Sequence, residues 1–195
     1  MRTILLVDDN ERLIELFTLF FENAGWDVVT APGGRECLKL LEHECPDLIL
    51  LDIMMEPMDG WETLLRIKEN PRWAKIPVTM LTGKALSQKE FDSYGMLFEH
   101  YLLKPLSASK MISLSGQVLE VHTRVHEVAE AAGNKGIEPL IIDEYLLVHH
   151  RVMLNHRMSA SLALQGYMIL WDLGKDEERL KELQKMFADR GVPFS

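Results

Sequence analysis

Short, largely apolar, β-prone runs alternate with amphipathic stretches through the first half of the chain. Five runs predict strands: Thr3–Val7, Asp27–Thr30, Leu48–Leu51, Pro77–Leu81 and His100–Leu103. "LILL" at 48–51 has no polar face at all, which suits a strand covered on both sides. Between these runs apolar residues recur at helical spacing. Leu13, Leu16, Phe17, Phe20 and Ala24 form one stripe, with Asn10 as candidate N-cap and Gly25 as stop. Further helices are predicted from Gly34 to His43, Trp61 to Glu69 and Ser87 to Gly95. Strands and helices in strict alternation predict an α/β fold, a parallel sheet with helices on both faces.

Beyond Pro105 the period changes and stays helical. Met111, Leu114, Val118, Val121, Val125, Val128 and Ala132 repeat at alternating spacings of three and four, a coiled-coil-like seam. "AGNKGIEP" (Ala132–Pro139) interrupts it with two glycines and a proline. Asp143 to Asp172 then reads as one long or kinked helix ended by Gly174. A last helix follows over Glu177–Arg190, with Leu180, Leu183 and Phe187 on one face and Gly191 as stop.

Composition narrows the setting. A length of 195 residues, 47 % of them hydrophobic, gives room for one good-sized domain and an appendage. The formal charge of −9 argues against broad attraction to nucleic acid. Residues 1–105 carry 11 Lys and Arg against 18 Asp and Glu, whereas the tail is nearly balanced at 10 against 12. Cys37 and Cys45 belong to no disulfide or metal pattern and read as small buried hydrophobes, which fits a reducing cytoplasm. With neither a run of membrane-spanning length nor a leader pattern at the N-terminus, a soluble cytoplasmic protein is expected. His122 and His126, one turn apart, and His149, His150 and His156 have no accompanying carboxylate or cysteine pattern and are expected on polar helix faces.

Candidate chemistry sits at the carboxyl ends of the strands, where open parallel sheets gather functional groups. Asp8 and Asp9 follow the first strand, Asp52 the third, Thr82 the fourth and Lys104 the fifth. Several carboxylates in one crevice repel one another unless a hard divalent cation lies among them, and oxygen ligands of this kind suit Mg²⁺. Beside such a metal an Asp can attack a phosphoryl group, and a hydroxyl and an ammonium can hold the transferred oxygens.

The segments "VDDN" (Val7–Asn10), "LLDIMMEPMDGWE" (Leu50–Glu62), "MLTGK" (Met80–Lys84) and "YLLKP" (Tyr101–Pro105) resemble the receiver domain of two-component response regulators. Thr82 and Lys104 stand 30 and 52 residues beyond Asp52, as that family's pattern requires. The resemblance implies a flavodoxin-like, doubly wound five-stranded sheet of order 2-1-3-4-5. It implies Asp52 as phosphoacceptor with a sensor histidine kinase as donor, and Mg²⁺ held by Asp8, Asp9, Asp52 and the Met54 backbone carbonyl. Lys104 would contact the phosphoryl group, and Thr82 and Tyr101 would form a switch pair. One departure is Glu56 where the family usually has proline, with Pro57 one place later. Glu56 is a further candidate for the metal, a solvated loop carboxylate being the commoner case.

The expected division is a receiver over residues 1–118 and a helical extension over 119–195 for dimerisation or protein docking. A homodimer is expected through the extended fifth helix and tail. The rival reading is a DNA-binding regulator, against which the tail shows no recognisable helix-turn-helix and no strongly basic helix. Beyond its own phosphorylation and dephosphorylation, no enzyme activity is expected.

Overall fold

A computed structural model of the chain describes residues 2–163 and 173–194. Five parallel strands, β1 (Arg2–Val7), β2 (Trp26–Ala31), β3 (Leu48–Leu51), β4 (Val78–Thr82) and β5 (His100–Leu103), form one sheet of order β2-β1-β3-β4-β5. The helices between them are α1 (Glu11–Asn23), α2 (Gly34–Leu40), α3 (Gly60–Glu69) and α4 (Gln88–Tyr94), the last extended by a single 3-10 turn at Gly95–Leu97. Every residue of β3 and β4 is buried, which explains why Leu48–Leu51 reads as an unbroken apolar run; β4 buries Thr79 and Thr82 along with its apolar residues.

Local chemistry fixes the helix ends. Asn10 Oδ1 accepts from Leu13 N and caps α1, and Asp59 does the same for α3 through Glu62 N. Ser87 and Glu90 close a capping box on α4. Gly25, Gly136 and Gly191 take φ of 81°, 73° and 72°, where a Cβ is penalised, and each follows a helix. Lys68, near the end of α3, donates to Ala74 O (2.9 Å) and Ile76 O (2.7 Å), securing the turn that leads into β4. Burial pushes its ammonium down to about 8 against the opposing pull of Glu99. Between that value and the ordinary 10.5 the unfolded chain holds the proton more tightly, so the fold gains stability as pH rises through the window. Lys68→Met, which cannot titrate, is expected to flatten this part of the curve in urea unfolding from pH 7.5 to 10.5, a range set by those two values. Parallel curves for the two proteins would assign the pH dependence to other groups.

The chain divides into two compact units, Met1–Leu119 and Glu120–Ser195. The second contains the end of α5 (Ala108–Asn134), α6 (Pro139–Ala163) and α7 (Leu173–Asp189). Its core is built from Val125, Val128, Ala132, Tyr145, Val148, Leu183 and Phe187, among others. Arg179 forks onto Glu144 at 2.7 and 2.8 Å, and Arg151 pairs with Asp176 at 2.9 Å, joining α7 to α6.

Several boundaries differ from the sequence expectation. The stripe that reads as a coiled-coil seam is spent on two internal cores: Met111 and Val118 belong to the sheet core, Val125, Val128 and Ala132 to the helical one. α6 begins at Pro139 rather than Asp143, because proline is well suited to a first turn. Gly174 lies inside α7 rather than ending a helix, and the part of the predicted long helix at residues 164–172 lies outside the described residues. Cys37 is buried but Cys45 is exposed, and both thiols are free. Among the described residues no strand follows Leu103, and no helix is long and apolar enough to cross a membrane.

Candidate functional site

Strand register brings the acidic residues together. Val7 of β1 pairs with Leu51 of β3, so Asp8 and Asp52 leave adjacent strands side by side. Backbone bonds tighten this edge: Asp52 N donates to Val7 O at 2.9 Å and Asp8 N to Ala31 O at 3.3 Å. Thr82 pairs with Leu103, and Lys104 N donates to Thr82 O at 2.8 Å, which places the lysine one step beyond β5 and beside the end of β4. This edge lies at the carboxyl ends of the strands, beside the point where the strand order reverses.

One oxygen from each of Asp8, Asp9 and Asp52 lies within 4.8 Å of the others. Asp8 and Asp52 are each only 5 % exposed, whereas Asp9 is exposed. Beneath the buried pair a void of about 10 Å³ is lined by Leu6, Leu50, Leu81, Ile14 and Phe17, so the carboxylates rest on apolar ground. Compensation is partial. Lys104 Nζ lies 2.5 Å from Asp8 Oδ2 and 3.5 Å from Asp52 Oδ1. Asn10 N donates to Asp8 Oδ1 at 2.9 Å. Asp52 Oδ1 is buried and accepts no hydrogen bond despite that nearby ammonium. One cation among three carboxylates, and a buried oxygen without a donor, leave negative charge uncompensated. A hard divalent cation with oxygen ligands fits this donor set. Glu56 is exposed and outside the cluster, while Met54, two residues beyond Asp52, is 55 % exposed.

Gly60, within the segment Leu50–Glu62, shapes the site. A Cβ at this position would stand 2.1 Å from Asp52 O and 2.7 Å from Ile53 Cα. The backbone of the Asp52 loop therefore runs directly against the first residue of α3, and Gly60 N donates to Ile53 O at 3.0 Å.

Thr82 is fully buried, and its hydroxyl accepts from Lys84 N at 3.3 Å. Tyr101 is 5 % exposed, with its hydroxyl donating to Lys84 O at 2.8 Å. Burial, and then the charges of Glu90 and Asp52, push that phenol above its usual range. Both hydroxyls thus meet at one residue, Lys84, on its two flanking peptide groups. Lys84, within "MLTGK", has no role that spacing alone assigns, whereas Glu90 carries a local signal in the Ser87-x-x-Glu90 capping pattern. His122 and His126 lie half-buried on α5 with ring centroids 4.4 Å apart, and no acidic residue joins them in a metal-holding group among those described.

Known proteins align with this geometry. Residues 4–115 match the family model described as the response regulator receiver domain. The alkaline phosphatase synthesis transcriptional regulatory protein PhoP of Bacillus subtilis is 38 % identical over 109 residues, covering 54 % of this chain and 43 % of that protein. The DNA-binding dual master transcriptional regulator RpaA of Synechocystis is 32 % identical over 130 residues, covering 67 % of this chain and 54 % of that one. The chain thus spans about half the length of each of these two. Among solved structures, the N-terminal domain of a response regulator receiver protein from Methanoculleus marisnigri is 47 % identical with a TM-score of 0.52, covering 58 % of this chain and 93 % of that one.

Proposed function

The chain belongs to the response regulator family through its receiver domain, and on that premise we propose that Asp52 accepts a phosphoryl group from a sensor histidine kinase at the Asp8–Asp9–Asp52 cluster. The observation that carries this reading is the convergence of three carboxylates and Lys104 from separate strand ends, with Asp52 Oδ1 lacking a hydrogen bond. An Asp52 lone pair attacks phosphorus, the donor's P–N bond breaks, and the imidazole leaves with a proton from solvent. Lys104, already paired with Asp8 and 3.5 Å from Asp52, follows the negative charge toward the incoming oxygens. Asp8, Asp9, Asp52 and the Met54 carbonyl would hold Mg²⁺, which when bound relieves repulsion and polarises the phosphoryl oxygens. The Thr82 hydroxyl then exchanges Lys84 N for a phosphoryl oxygen, and Tyr101 responds through Lys84, the residue both hydroxyls contact. No other enzyme activity belongs to this reading.

The output is protein–protein interaction or dimerisation through α4, β5, α5 and the helical extension of residues 119–195. The homodimer of this reading is not held by Val125 and Val128, which are buried within the chain. Leu140 and Leu147, 77 % and 49 % exposed and one heptad apart on α6, offer an apolar stripe to a second copy. A DNA-binding output is the second reading. It is favoured by what PhoP and RpaA are called, and opposed by the balanced charge of this tail.

Acetyl phosphate with Mg²⁺ is expected to add one phosphoryl group to the protein by intact mass, and a chelator is expected to suppress that addition at least about tenfold. Solution mass measured on the same samples should rise toward a dimer after treatment. Labelling that is indifferent to the chelator would remove the metal from the mechanism, and an unchanged solution mass would remove the dimer from the output.

A further inference from the structure

Glu90 carries more donors than a helix cap needs. Its Oε2 accepts from Ser87 N (3.0 Å) and Ser87 Oγ (2.6 Å), which accounts for the capping box of α4. Its Oε1 reaches elsewhere, accepting from Lys84 Nζ at 2.6 Å and from Trp61 Nε1 at 2.9 Å. The indole is also stacked on Tyr94, with centroids 4.5 Å apart and planes at 10°. Burial raises the Glu90 carboxyl, but these hydrogen bonds outweigh it and pull the group down to about 2. The Glu90 side chain is 15 % exposed and that of Lys84 43 %, so only the carboxylate end of the pair is shielded from solvent.

On its other side Lys84 touches both hydroxyls of the switch. Its N–H donates to Thr82 and its carbonyl accepts from Tyr101. A continuous line of hydrogen bonds therefore runs from Thr82 through Lys84 and Glu90 to the indole at the start of α3. Nothing in phosphoryl transfer requires the second half of this line.

We infer that Glu90 is a positioning residue that ties the Lys84 side chain to Trp61, so that phosphorylation at Asp52 is transmitted to the groove lined by Trp61, Lys84, Glu90 and Tyr94. This rests on the phosphoacceptor reading of Asp52. When the Thr82 hydroxyl turns to a phosphoryl oxygen, Lys84 N–H loses its acceptor and the residue moves. Because Nζ is anchored on Oε1, that movement shifts the carboxylate against the indole and reshapes a groove of about 490 Å³.

Tryptophan emission reads the end of the line, and intact mass reads its beginning. With the full chain, Mg²⁺ and acetyl phosphate, wild type is expected to change emission as label accumulates, a change absent in Trp61→Phe. Lys84→Met and Glu90→Gln should label to the wild-type extent with the emission change reduced at least about twofold, and Lys84→Arg should restore it. Lys84 is exposed, so Lys84→Met carries the test even if Glu90→Gln folds poorly. A full emission change in labelled Lys84→Met, or no Trp61-dependent change in labelled wild type, overturns the inference and leaves the phosphoacceptor reading standing. Failure of wild type to take label overturns both.

Discussion

Asp52→Asn abolishes phosphoryl labelling by acetyl phosphate while the protein stays folded: this is the expected result, and it is a loss of all incorporation rather than a slowing. An amide oxygen is too weak a nucleophile to attack phosphorus, and the substitution keeps the shape of the side chain. Neighbouring carboxylates are poor substitutes. Asp8 is engaged by Lys104 and Asn10 N, and Asp9 is exposed. Stability in urea without magnesium should hold or rise slightly, since removing one of three clustered charges relieves repulsion. Incorporation that survives in Asp52→Asn would move the acceptor to another residue.

Phe187→Ala has the largest expected effect on stability. Phe187 is fully buried, with its ring centroid 5.1 Å from that of Tyr145 and 6.5 Å from that of Phe194. Truncation removes most of a large aromatic side chain from the core of the second unit and costs about 3–5 kcal/mol. Leu183, fully buried one turn earlier on α7, belongs to the same core and can fill only part of the space. Helical circular dichroism during urea titration should show an early transition, while labelling at Asp52 at low urea stays near wild type. Labelling that collapses together with the helical signal would mean that the two units do not fold separately.

Sequence patterning reached the central strands β3 and β4 because they are buried along their whole length, and Leu48–Leu51 and His100–Leu103 coincide with the observed limits. The convergence of Asp8, Asp9 and Asp52 was legible for a related reason: parallel topology places successive strand ends on one edge. Patterning was less informative where a residue's partner lies far away in the chain. The stripe on α5 reveals a buried face but not what buries it: the sheet core takes Met111 and Val118, and residues of α6 and α7 take Val125, Val128 and Ala132. Oε1 of Glu90 serves residues 29 and 6 positions away, a reach that no local spacing encodes. The 3-10 turn at Gly95–Leu97 likewise has no periodic signature of its own.

The contact at Gly60 bears on how freely this region can vary. A methyl group there would have to displace main-chain atoms rather than a flexible side chain. In a library covering every position of the domain, this one should therefore reject even alanine. Grafting the Asp52 loop onto another scaffold would have to carry the glycine with it.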